Sequence, residues 1–155
     1  MRLLRTREQF ALVADAPFEI TWPLFGADKE RLWAPDWDPI FVWPEKAEDR
    51  EGMVFKIRHE DQTALWVNTA LDRTAGRIQY VYLIPDVQVT VITLKVAPIG
   101  HSTNVEVVYE RTALAETANA IVKEMAAGDR VAGKEWSQQI NAHLRRISAH
   151  PHRRG

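Results

Sequence analysis

His59 is the residue of this chain best placed by type and phase for proton transfer. In Met53–His59, the residues Met53, Phe55, Ile57 and His59 alternate with Val54, Lys56 and Arg58, so the histidine shares an apolar strand face. An imidazole turned inward can orient a polar group or act as acid and base near neutral pH. At a strand end it can equally face water or cap a turn. A second set of residues offers recognition. Thr63–Ala70 places Trp66 and Asn68 on one side with Ala64 and Ala70. Arg77–Ile84 places Tyr80 and Tyr82 with Ile78 and Ile84, opposite Arg77 and Gln79. Buried hydroxyl, amide and indole groups need hydrogen-bond partners, and a ligand or water can supply them.

The other chemistry-bearing patterns fall short of function. Gly128-Asp129-Arg130-Val131-Ala132-Gly133-Lys134-Glu135 has phosphate-loop spacing, but Glu135 replaces the hydroxyl that would hold magnesium and no strand precedes Gly128. His59-Glu60 has Thr63 where a zinc-protease helix needs its second histidine. Ser102, Ser137 and Ser148 stand in no G-x-S-x-G elbow, and there is no cysteine for thiolate or disulfide chemistry. His150 and His152 on the C-terminal segment make a poor metal site. Asp36 and Asp38 sit among turn-forming residues, where carboxylates cap backbone. Nothing in the pattern asks for a metal, nucleotide or other cofactor.

The elements that position these residues follow from the periodicity. Phe10–Ala14 reads as a strand ended by Asp15-Ala16-Pro17. Pro17–Phe25 reads as a short helix, and Asp28 can cap a second one running to Leu32 or Trp33. Trp33-Ala34-Pro35-Asp36-Trp37-Asp38-Pro39 is then an extended, turning segment. Period-two runs follow at Ile40–Trp43, Met53–His59, Thr63–Leu71, Arg77–Ile84, Val87–Val96 and Ser102–Arg111, with short links that predict an antiparallel meander. After Thr112 the period becomes helical. Ala118, Ile121, Val122, Met125, Ala132, Trp136, Ile140, Leu144 and Ile147 form one stripe of a long helix that Gly128 and Gly133 can kink or divide. The class is therefore α+β, with a curled seven-stranded antiparallel sheet closing on the C-terminal helix. Such a wedge tends to leave a cavity, the usual place for a ligand between layers.

Composition narrows the partners. At 155 residues the chain is one ordinary domain, able to bury a core without metal or disulfide staples. A formal net charge of −1 argues against a nucleic-acid binder. Arg2, Arg5 and Arg7 at one end and Arg145, Arg146, Arg153 and Arg154 at the other read as solvated tails, the last flexible over about 149–155. The longest charge-free apolar stretches, Ile78–Pro85 and Val87–Leu94, are too short for a membrane span, and no signal peptide is visible, so a cytoplasmic protein is expected. The six tryptophans, at 22, 33, 37, 43, 66 and 136, require a core or a pocket, and four of them fall between Trp22 and Trp43.

The element order, the Asp15-Ala16-Pro17 turn after the first strand, the Trp33–Pro39 segment, and Trp136 ahead of Gln139-Ile140-Asn141 resemble the SRPBCC superfamily. That group includes the START domains, the birch-pollen-allergen-like proteins and the polyketide cyclase/dehydrase-type bacterial proteins. The resemblance spans nearly the whole chain. It implies a helix-grip fold with a deep, mostly apolar cavity and places Trp33 and Trp37 at its mouth. The expected function is binding or carriage of a small hydrophobic or amphipathic molecule. Its contacts would be Trp37, Phe55, Trp66, Tyr80, Tyr82, Met125 and Trp136, with His59 and Asn68 reading its polar part. The alternatives are a cyclase/dehydratase-type enzyme with His59 as its titratable group, needing neither metal nor nucleotide, and a protein-interaction module or homodimer using an exposed sheet edge.

Overall fold

A computed structural model describes residues 2–149. Strand β1 (Arg5–Ala14) is followed by helix α1 (Phe18–Thr21) and the 3-10 turns Trp22–Phe25 and Lys29–Leu32. Then come β2 (Ile40–Trp43), β3 (Val54–His59), β4 (Gln62–Asp72), β5 (Arg77–Ile84), β6 (Gln88–Ile99) and β7 (Ser102–Ala113). The chain closes with the 30-residue helix α2 (Asn119–Ser148). All seven strands form one antiparallel sheet in the order β1-β7-β6-β5-β4-β3-β2. The α+β class, the meander and the presence of short helical segments after the first strand are those the periodicity predicts.

Three local expectations are corrected. Arg5 and Arg7 are not part of a tail: β1 runs through them, and Arg5 Nη1 donates to Thr112 Oγ1 at 2.6 Å on the neighbouring strand. Pro17–Phe25 is not one helix, because Pro23 has no N–H to donate and its ring crowds the preceding turn, leaving α1 and a tighter 3-10 turn. The backbone N–H groups of Asp28 and Lys29 are capped by the distant Asp49, which accepts from them at 2.7 and 3.1 Å, while Asp28 turns to Arg31. The segment expected to be a tail at 149–155 lies outside the described residues from His150 onward, as do His150 and His152.

Neither glycine interrupts α2. Gly128 has open space around it, whereas a Cβ on Gly133 would come within 3.0 Å of the Phe10 ring. Gly133 therefore lets the helix lie close against β1. Two asparagines fasten the ends: Asn119 bonds the backbone of Leu4 and Arg2, and Asn141 that of Asp15 and Val13. The helix is thus drawn toward the β1–β7 side of the sheet. The β3–β5 side is covered by the short helical segments and the tryptophan-rich stretch. No helix among the described residues is long and apolar enough to cross a membrane.

Candidate functional site

Cross-strand register builds the inner wall in two rows. Trp66, Tyr82, Thr90 and Arg111 lie opposite one another across β4, β5, β6 and β7. The next row holds Asn68, Tyr80, Ile92 and Tyr109. Directly opposed residues share a sheet face, so both rows look toward α2. After Asn68 the ladder slips at Thr69, and the Asn68 side chain donates to Ala70 O at 3.1 Å.

Between this wall and its cover lies a cavity of about 70 Å³ lined by Phe25, Trp37, Trp66, Tyr80, Tyr109 and Trp136, with Ile92, Leu94 and Glu30. Larger hollows, of about 370 and 570 Å³, are surface grooves beside α1 and the loops. The enclosed one is where the aromatic rings meet. Trp37 meets Trp66 edge-on at 5.3 Å, Trp66 stacks on Tyr82 at 4.2 Å, and Trp33 meets Trp136 edge-on at 5.3 Å. Trp33 and Trp37 donate their indole N–H groups to Leu24 O and Ala27 O, each at 2.7 Å. Tyr80 Oη donates to Phe25 O at 2.7 Å. By contrast, Trp66 Nε1 and Asn68 Oδ1 are buried without a partner.

Glu30 is the titratable carboxyl of this lining. Burial, with the neighbouring Asp49 carboxylate, pushes it up to about 8. Burial also raises Asp49 itself, against the two backbone hydrogen bonds it accepts. Tyr80 and Tyr109 are pushed above the usual phenol range, first by burial and then by the Glu30 charge. The group is therefore a carboxylic acid that changes protonation near neutral pH.

Beyond the Trp66–Tyr82 stack lies a second polar centre. Arg111 donates to both carboxylate oxygens of Asp129 at 2.7 Å, to Tyr82 Oη at 2.6 Å and to Thr90 Oγ1 at 3.0 Å, with its guanidinium over the Tyr109 ring. Both partners are about 6% exposed. Burial opposes the Arg111 charge, but Asp129 and Tyr82 together outweigh it and hold the guanidinium above its ordinary range. This pair joins the helix to the sheet.

The residues singled out in the sequence divide accordingly. Trp37, Trp66, Tyr80 and Trp136 line the cavity. Phe55 is fully buried behind Trp37 and Trp66. Asn68 is buried beside Tyr80, Tyr82 lies behind Trp66, and Met125 rests against Arg111. His59 is a correction: it is exposed at the β3–β4 hairpin, opposite Gln62, because the apolar phase runs past the point where cover ends. The fully interior reading of the tryptophans also fails at Trp43, which is 47% exposed under the Arg50 guanidinium.

Sequence reading missed Glu30, Arg111 and Asp129, yet each left a signal. Arg111 follows Val105, Val107 and Tyr109 in the apolar phase of β7. Asp129 falls on the stripe between Met125 and Ala132. Glu30 precedes the buried Trp33 by three residues, one helical turn.

No family model matches the chain, and no curated protein does. Solved structures do. Truncated norcoclaurine synthase from Thalictrum flavum superposes with a TM-score of 0.70 at 11% identity, covering 93% of this chain and 96% of that one. The chain has the helix-grip fold. A protein from Thermobifida fusca matches it with a TM-score of 0.63 at 16% identity over 90% of this chain and 93% of that one. Ara h 8.0201 does so with a TM-score of 0.59 at 12% identity, over 87% and 99%. The helix-grip fold is the one that the SRPBCC resemblance implies, and at these identities the likeness is one of fold.

Proposed function

We propose that this protein binds a small amphipathic molecule in the cavity between sheet and helix, with an acceptor atom of the guest reaching Trp66 Nε1. The observation that carries this reading is the hollow walled by aromatic rings, one of which, Trp66, has a buried indole N–H without a partner. Left empty, a cavity of about 70 Å³ costs roughly 1.7 kcal/mol and an unpartnered donor roughly 1–3 kcal/mol. A guest that fills the one and satisfies the other relieves both. The volume favours a guest of a few heavy atoms, or the head of a longer one, over an engulfed lipid.

The Trp66 indole N–H resonance tests this. Titration of the protein with small phenols and cyclic ketones should move that resonance saturably, and native mass spectrometry should show a one-to-one adduct. No shift and no adduct at millimolar concentration would sink the proposal.

A catalytic reading is favoured by Glu30 alone. A carboxyl pushed up to about 8 beside an apolar hollow is suited to general acid–base work. The same fold serves an enzyme in norcoclaurine synthase, whose structure has been determined in complex with dopamine and hydroxybenzaldehyde. Turnover by this chain that is lost in Glu30→Gln while binding persists would establish catalysis.

A further inference from the structure

We infer that the guest of this cavity carries a positive charge, as a small organic ammonium ion seated among the aromatic faces with Glu30 as its counter-ion. The inference rests on the cavity reading above and adds a charge to it. Six of the nine lining residues are aromatic, one is a carboxylic acid, and none is Lys, Arg or His. Aromatic ring faces are electron-rich, and a desolvated cation over Trp or Tyr gains up to about 2 kcal/mol or more. The hollow is therefore polarised for a cation even before Glu30 ionises.

The surroundings of Glu30 point the same way. Among the described residues no arginine or lysine forms an ion pair with it. The groups that face it are Asp49 from the β2–β3 connection, Tyr80 from β5 and Tyr109 from β7, with Asp28 and Lys29 on its own turn. Lys29 is exposed, and its backbone N–H is bonded to Asp49. The interior pair Arg111–Asp129 is matched, whereas Glu30 and its neighbour Asp49 have no ion-pair partner among the described residues. An anionic guest would meet two carboxyls, while a neutral one would leave the acid unused.

Charge matching requires Glu30 to give up its proton when the cation enters. With Glu30 pushed up to about 8, affinity should rise with pH below that value, by at most about tenfold per unit, and level off above it. The tyrosines stay protonated across this range and do not contribute.

Tetramethylammonium and its uncharged counterpart tert-butanol are the probes. Each is titrated into the full-length protein at pH 6, 7 and 8 while the indole N–H resonances of Trp37, Trp66 and Trp136 are followed. Tetramethylammonium should bind at least tenfold more tightly than tert-butanol at pH 8 and weaken toward pH 6. Glu30→Gln should lose at least tenfold of the affinity for the cation but keep that for the alcohol. The wild-type pH series stands on its own should the variant fold poorly. Equal or tighter binding of tert-butanol, or a pH-independent cation affinity, overturns the charge while leaving the cavity reading intact. Silence from both probes, together with failure of the phenol and ketone titrations, overturns the cavity reading as well.

Discussion

The two ends of the interior treat their polar groups in opposite ways, although the Trp66–Tyr82 stack and the Tyr109 ring are shared between them. At one end, Arg111, Asp129, Tyr82 and Thr90 are joined by hydrogen bonds between 2.6 and 3.0 Å. At the other, among the described residues, Glu30 has no ion-pair partner, and Trp66 Nε1 and Asn68 Oδ1 have no hydrogen-bond partner. Matched charge inside a protein holds layers in place, because losing either partner strands the other. Unmatched polar atoms beside a hollow add nothing to that anchoring and keep their hydrogen-bonding capacity for a guest. The first end explains where the helix sits, and the second what the fold can recognise.

That contrast can be broken by substitution. The largest effect should come from Asp129→Ala, which strands Arg111 and should cost about 3–5 kcal/mol in urea unfolding. The double replacement Arg111→Met with Asp129→Leu should recover most of that loss. A double variant as unstable as the single one would show that the pair is not the anchor. Tyr82→Phe removes one acceptor from the guanidinium and should cost about 1.5–3 kcal/mol by the same measurement.

Glu30 should act through pH. Its folded value of about 8 lies above the 4.5 of the unfolded chain, so its contribution is fully present below pH 4.5 and is lost as pH rises through 8. Stability of the wild type should therefore fall by no more than about 1.4 kcal/mol per pH unit in that window. Glu30→Gln should flatten the curve, and an unchanged slope would deny the raised acid. Asn68→Leu removes an unpartnered acceptor along with one neutral hydrogen bond and should shift stability by less than about 1 kcal/mol. A loss as large as that of Tyr82→Phe would erase the contrast. His59→Ala, at an exposed hairpin, should stay within about 0.5 kcal/mol and leave guest binding unchanged.

The fold was legible because its determinants are periodic. Alternation in Arg77–Ile84 marked a strand with the bounds observed, and the stripe from Ala118 to Leu144 marked one helix. The cavity was half legible. Trp37, Trp66, Tyr80 and Trp136 announce themselves by type, since large aromatics in an apolar phase go inside. The carboxyl was not legible for the opposite reason: a single 3-10 turn gives only the one spacing from Glu30 to Trp33, and an acid is read by default as solvated. Phase misled at His59 because alternation tells which face a side chain takes, and nothing about where the cover over that face stops.

Gly133 against Phe10, with Asn119 and Asn141 tying α2 to β1, has a kinetic consequence. A helix so seated cannot slide to admit a guest. The hollow's other wall is the segment carrying Glu30 and Trp37, which the bond from Trp37 Nε1 to Ala27 O at 2.7 Å fastens down. Loop motions of this kind run on nanosecond-to-microsecond timescales, and collective ones on microseconds to milliseconds. A guest that enters past that segment rather than past the helix exchanges on those timescales.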